Sequence, residues 1–206
     1  MQTKLANRWH GVDSRARTIA ALYTIVMTTP VQAGLVLQLG VDVGGDEMVR
    51  ANFTDGETRS IDAGEFLHVD VGFSVLSHPT DSARPAWESQ LTIGWKNDAI
   101  QAENGSLDWT RYPVDFIQFY RVDGWRFGAG LTWHLNPTLE GSGVVRGKAS
   151  FDDAMGFLLE ADYLMGPNHE VYMGGRLTLI EYDIAQGGGE SVDGDSVGAV
   201  LGIRWQ

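Results

Sequence analysis

The chain has 206 residues, a formal net charge of −12, 26 glycines and no cysteine. The acidic balance excludes nucleic acid as a partner, because binding a phosphate backbone draws on Lys and Arg. The lack of Cys removes disulfides and thiolate metal sites, and the near-neutral mean hydropathy excludes a polytopic helical membrane protein.

The first element is a leader. Lys4, Arg8, Arg15 and Arg17 form a basic segment, and an apolar run follows over residues 18–29. Val31 and Ala33 then occupy small-residue cleavage positions, which completes the pattern of a secretory signal peptide. The apolar run is shorter than the roughly 20 residues that a spanning helix needs. The expected division is a signal peptide over 1–33 and a single domain over 34–206.

Beyond the leader the apolar period is two, not 3.6. Eight strands are expected in chain order, at 35–43, 66–75, 87–96, 111–122, 124–137, 155–165, 171–179 and 197–205. Most have the nine to eleven residues of a tilted membrane strand. The fourth is the least regular. Ile117 and Phe119 make both of its faces apolar, Gln118 falls on the greasier side, and a bulge near Pro113 would shift the register. The connections alternate between long and short, as in an up-and-down barrel with one end outside the cell. The acidic, glycine-rich stretch 187–196 lacks the spacing of a calcium-binding EF-hand loop and reads as a mobile loop.

Tryptophan spacing decides which way the apolar face points. Trp87 and Trp95 lie eight residues apart on one face, as do Trp125 and Trp133, and Tyr112 and Tyr120 repeat the interval. At ~3.3 Å per residue this is about 26 Å along a strand. With strand tilt it approaches the apolar band between the two aromatic girdles of a membrane barrel. Tyr163 and Trp205 complete the expected girdle. The opposite face carries Asp42, His68, Asp70, Glu88, Lys96, Arg126, Glu160, Asp162, Arg176 and Arg204. An eight-stranded barrel has room only for its own side chains. These residues are therefore expected to form a packed ionic interior beside inward glycines such as Gly40, Gly128 and Gly202.

Leader, eight alternating strands, loop asymmetry and a last strand ending near an aromatic together resemble the small outer-membrane β-barrels of Gram-negative bacteria, the OmpA and OmpX type. The resemblance covers nearly all of 34–206 and implies an all-β, eight-stranded antiparallel up-and-down transmembrane barrel. It also implies location in the outer membrane, contact with lipid and lipopolysaccharide, and insertion by the outer-membrane machinery. The final "IRWQ" departs from the pattern by placing Trp205 one residue early.

Chemistry is sparse. His134, near the long-loop end of the fifth strand, is the one catalytic candidate, because the small outer-membrane barrels include enzymes that modify lipid A. Glu140 and Ser142 would have to reach it. Glu160 and Asp162 sit two apart on one face, where salt-bridge packing outweighs acid–base work. No metal site and no cofactor are expected. The expected role is structural or interactive. A narrow conduit for ions or small apolar solutes and a lipid-A-modifying enzyme are the functional alternatives, and a soluble lipocalin-like barrel is the fold alternative.

Overall fold

A computed structural model describes residues 31–52, 57–77, 85–144, 146–185 and 189–205. The expected leader lies outside the described residues as far as residue 30, and Val31 to Ala33 form the start of the first strand. The described chain contains thirteen strands: β1 (Val31–Val43), β2 (Glu47–Asn52), β3 (Thr58–Asp62), β4 (Phe66–Ser77), β5 (Ala86–Ala102), β6 (Gly105–Val122), β7 (Trp125–Gly141), β8 (Gly147–Ser150), β9 (Ala154–Met165), β10 (Val171–Leu179), β11 (Glu181–Asp183), β12 (Ser191–Asp193) and β13 (Ser196–Trp205).

Eight of them form a ring. The pairing runs β6, β5, β4, β1, β13, β10, β9, β7, and β7 returns to β6. Every pairing is antiparallel, and β1 against β13 closes the two ends of the chain, from Leu35 opposite Trp205 to Val43 opposite Val197. Closure leaves no open edge in the ring, which matters where no water is available to satisfy one.

Strand parity follows the alternation of the sequence. Along β9 the exposed Met155, Phe157, Leu159 and Tyr163 alternate with the buried Gly156, Leu158, Glu160 and Asp162. The short end is turned by tight hairpins. Asp123 (φ 49°) and Gly124 (φ 79°) are both left-handed and join Val122 to Trp125. A two-residue turn of this kind matches the twist of its strands.

The fourth ring strand, β6, settles its parity by burying Ile117 and Phe119 and leaving Gln118 outward. Gln118 is held there by Ser89 Oγ, which donates to its Oε1 at 2.7 Å. The bulge expected near Pro113 falls on the partner strand instead. Thr110 faces Thr138 and Tyr112 faces Leu135, so Asn136 and Pro137 together oppose Arg111. Asn136 absorbs the extra residue with φ at 50°, a conformation Asn tolerates better than most.

The segments expected to be long loops are folded. β5, β6 and β7 run 17, 18 and 17 residues, well beyond the ring. β8 pairs with the end of β7, β2 with β3, and β11 with β12. The stretch read as a mobile loop at 187–196 thus contributes Ser191–Asp193 to a paired hairpin. The hairpins converge on an apolar cap of Ile61, Ala63, Ile100, Leu107, Trp109, Phe151, Ala154, Ile180 and Tyr182. Trp109 is its centre. It is fully buried, with Phe151 and Tyr182 edge-on at 5.1 and 5.5 Å and its Nε1 donating to Ala63 O at 3.0 Å.

Candidate functional site

The ring encloses charge. Asp42, Asp70, Glu88, Asp98, Asp115, Glu160 and Asp162 are buried together with Lys96, Arg111, Arg121, Arg126, Arg176 and Arg204. At the short-turn end Glu88 receives three guanidinium groups: Arg121 and Arg126 at 3.1 Å and Arg204 at 3.3 Å. Arg126 continues inward to Asp162 at 2.7 Å and Glu160 at 3.5 Å. Its guanidinium carbon lies 4.0 Å from the centre of the Phe119 ring and 3.8 Å from that of Tyr172. Two aromatic faces thus clamp the cation while carboxylates take its edge.

Glu160 passes the chain to Arg176 at 2.8 Å, and Arg176 meets Asp115 at 2.9 Å and Asp70 at 3.9 Å. His68 Nδ1 donates to Asp70 at 2.8 Å. Above it Lys96 Nζ donates to Asp42 at 2.5 Å and to Gly64 O at 2.7 Å. Opposite charges therefore alternate along this chain, while Arg111 and Asp98 stand outside it. Such a network holds only when complete, because a buried charge stripped of its partner is costly.

Glycine makes the room. Gly40 stands opposite His68, Gly94 opposite Asp70, Gly174 opposite Asp162 and Gly202 opposite Tyr172. In each pair a Cβ on the glycine would collide with the facing side chain. Small residues face large ones across the ladder, and this lets a narrow barrel hold Arg, His and Tyr.

The outer surface is the converse. Trp87, Trp95, Tyr112, Tyr120, Trp125, Trp133, Tyr163 and Trp205 are all exposed, among Leu35, Phe73, Ile93, Phe116, Leu131, Phe157 and Leu201. Trp87 packs on Tyr120 and Trp125 on Tyr163, each with ring centres 5.2 Å apart.

His134 lies under the cap, 4% exposed, with its Nδ1 2.6 Å from the Tyr182 hydroxyl. The geometry does not bring Glu140 and Ser142 to it. They lie six and eight residues farther along β7 and its extension, about 20 Å and more away. Glu140 lies beside Lys148 and Ser142 beside Ser106.

Sequence parity missed Arg111, Asp115 and Arg121, all buried on β6. The signal was present. Tyr112 and Tyr120 outward place every odd-numbered residue of that strand inward, but Ile117 and Phe119 obscured it. The cap was missed because its members are spread over five segments with no shared period.

What the geometry defines is a closed eight-stranded antiparallel barrel. No family model and no curated protein sequence matches the chain. Among solved structures it is similar to the attachment invasion locus protein Ail of Yersinia pestis, crystallised with the heparin analogue sucrose octasulfate. That match has 9% identity, covers 84% of this chain and 96% of that one, and has a TM-score of 0.48. Neisserial surface protein A is similar at 10% identity, over 85% of this chain and 98% of that one, with a TM-score of 0.41. The outer membrane protein AlkL, determined by solid-state NMR in DMPC bilayers, is similar at 11% identity over 100% and 97% of the two chains, with a TM-score of 0.36.

Proposed function

We propose that the protein is an outer-membrane β-barrel in which the ring is a lipid anchor and the capped hairpins form an outward interaction surface. The observation that carries this reading is the inversion of the ordinary globular arrangement. Large apolar side chains stay exposed around the ring (Leu35 67%, Phe157 65%) while thirteen charged side chains are buried within it. Water would penalise both halves of that pattern, whereas a bilayer rewards the first and the ion pairs make the second tolerable.

The exposed Trp and Tyr residues suit the headgroup levels on either side of the apolar belt. Outward contacts are with lipid and lipopolysaccharide, and the last strand, ending at Trp205, is what the insertion machinery reads. The interior favours anchor over conduit, because the cap and the charge chain occupy the space a solute would cross. His134 meets the Tyr182 hydroxyl inside the cap while Glu140 and Ser142 lie elsewhere, which supports a binding role over catalysis.

The test is to express the full chain in a Gram-negative host, fractionate it and probe intact cells with protease. Recovery in the outer-membrane fraction, heat-modifiable mobility on SDS gels and no conductance steps in planar bilayers are expected. A protein that stays folded and monomeric in buffer without detergent overturns the reading, and discrete conductance steps replace the anchor with the conduit.

A further inference from the structure

The segment that joins β3 to β4 lies over the outer end of the interior as a strap, and its backbone is held from below. Three successive carbonyls each accept a bond from a side chain of β5 or β6. Ala63 O takes Trp109 Nε1 at 3.0 Å, Gly64 O takes Lys96 Nζ at 2.7 Å, and Glu65 O takes Arg111 Nη2. Ile61 and Ala63 add apolar burial, each with no exposed surface. The amides turn the other way, Ala63 N to Asp46 O at 2.9 Å and Gly64 N to Gly44 O at 3.0 Å. Among the described residues β2 and β3 pair with each other and with no ring strand.

The closed position is tight but not fully satisfied. A Cβ on Gly64 would lie 2.7, 2.8 and 2.9 Å from the carbonyl oxygens of Gly44, Asp195 and Gly194, so only glycine fits there. Beside the strap a cavity of about 460 Å³, lined by Ser60, Glu65, Phe66, Asn97 and Asp98, leaves room for movement. In and under the strap, Asp62 Oδ1, Asp98 Oδ2 and Arg111 Nε and Nη1 are buried without a hydrogen-bond partner among the described residues. Each costs free energy while it is shut away and regains water when the strap lifts. Three bonds and two apolar side chains hold the strap down against four unmatched atoms. An element balanced in this way opens locally, well short of global unfolding.

We propose that residues 61–65 are a latched strap that opens while the ring stays closed, and that its opening admits water to the outer end of the interior. The Asp42–Lys96 pair and Arg111 are then wetted. The ion pairs below, from Asp70 to Glu88, remain in place, so the open strap makes no pore. The device goes beyond the anchor reading and works equally whether lipid or water meets the outer wall.

The test exploits the absence of cysteine from the chain. Single-cysteine forms of the full chain, Ala63→Cys in the strap and Ser74→Cys deep in the ring, are folded in detergent and labelled with a charged, water-soluble maleimide. Both sites are buried. Position 63 is expected to label at least tenfold faster than position 74. Gly64→Ala, which wedges the strap against backbone, should raise labelling at 63 at least tenfold further. Trp109→Phe, which removes one latch bond and keeps a ring in the cap, should raise it about fivefold, the net worth of one hydrogen bond. Neither change should alter labelling at 74 or the heat-modifiable mobility of the ring. If Ala63→Cys does not fold, Ile61→Cys replaces it, and if Gly64→Ala does not fold, Trp109→Phe decides alone. Equal labelling at 63 and 74 in the parent, unchanged protection at 63 in the folded variants, or a rise at 63 matched by a rise at 74 overturns the proposal.

Discussion

Arg126 and Asp162 face each other across β7 and β9 and are joined Nε to Oδ2 at 2.7 Å. Register and ion pair coincide, so the salt bridge also reports that the two strands are in step. Arg126 serves Glu88 and Glu160 as well; those two keep Arg121, Arg204 and Arg176, so its removal strands Asp162 and weakens the network around the other two. Arg126→Met is expected to cost at least the ~3–5 kcal/mol typical of breaking a buried pair. Urea unfolding in detergent, followed by the gel shift of the folded form, measures it. Adding Asp162→Asn should recover part of the loss. A variant as stable as the parent would show that Arg126 is not the hub of the network.

The glycine rule predicts the opposite kind of damage. At Gly202 an added methyl would enter the Tyr172 ring, which cannot swing away. The Tyr172 hydroxyl donates to Gln38 at 2.8 Å and the ring covers Arg126. Gly202→Ala should destabilise by about 1–3 kcal/mol through overpacking. Gly175 is the control, because its nearest obstacle is a carbonyl oxygen at 3.8 Å, and Gly175→Ala should be nearly neutral. Equal midpoints for the two variants would remove the steric argument.

The extent to which the sequence revealed this structure follows from where the periodicity is strict. Wherever one face is apolar and the other polar, as in β9 and β13, a slip of one residue would invert every side chain, so parity is legible. Ile117 and Phe119 broke that rule because Phe119 faces inward for a special purpose, covering the Arg126 guanidinium. An aromatic recruited as a cation's partner looks, in sequence, like one meant for lipid. Trp109 is a second instance. It follows the parity of β6 but packs with Phe151 and Tyr182, contacts separated by tens of residues that no local pattern records.

His134 offers a separation of structure from chemistry. Its partner among the described residues is the Tyr182 hydroxyl at 2.6 Å, and Tyr182 is a buried member of the cap. His134→Ala removes this buried hydrogen bond, at a cost of about 0.5–1.5 kcal/mol. The expected result is a lower unfolding midpoint together with unchanged lipid A masses in cells that express the variant. An altered lipid A spectrum at unchanged stability would reinstate a catalytic histidine.

Glu65 gives a pH dependence whose sign can be worked out. Its carboxyl is raised by burial first and by Asp62 and Asp98 second, so the folded state disfavours the ionised form. The resulting penalty is present above the folded value and disappears as pH falls below the unfolded one, about 4.3. Glu65→Gln should therefore raise the urea midpoint in detergent near neutral pH and leave it unchanged at strongly acid pH. A gain that persists in acid would assign the effect to packing instead of charge.

The orientation of the barrel can be tested with one outward residue. Leu159 is half exposed on β9 and pairs with Ala129 on β7. Ala129 lies midway between Trp125 and Trp133, so Leu159 sits at the centre of the belt that lipid would cover. Leu159→Arg should cost about 2–4 kcal/mol when folding is measured in phospholipid vesicles, the usual penalty for a cation at the bilayer midplane. Asp123→Arg, in the hairpin turn beyond Trp125, should cost only about 1 kcal/mol by the same measure, the strain of a left-handed residue. In a water-soluble barrel the order would reverse. An arginine at an already exposed Leu159 would be harmless or helpful there, whereas Asp123→Arg would alter the left-handed turn that joins β6 to β7. Equal stability of the two variants in vesicles would mean that lipid does not meet the apolar face.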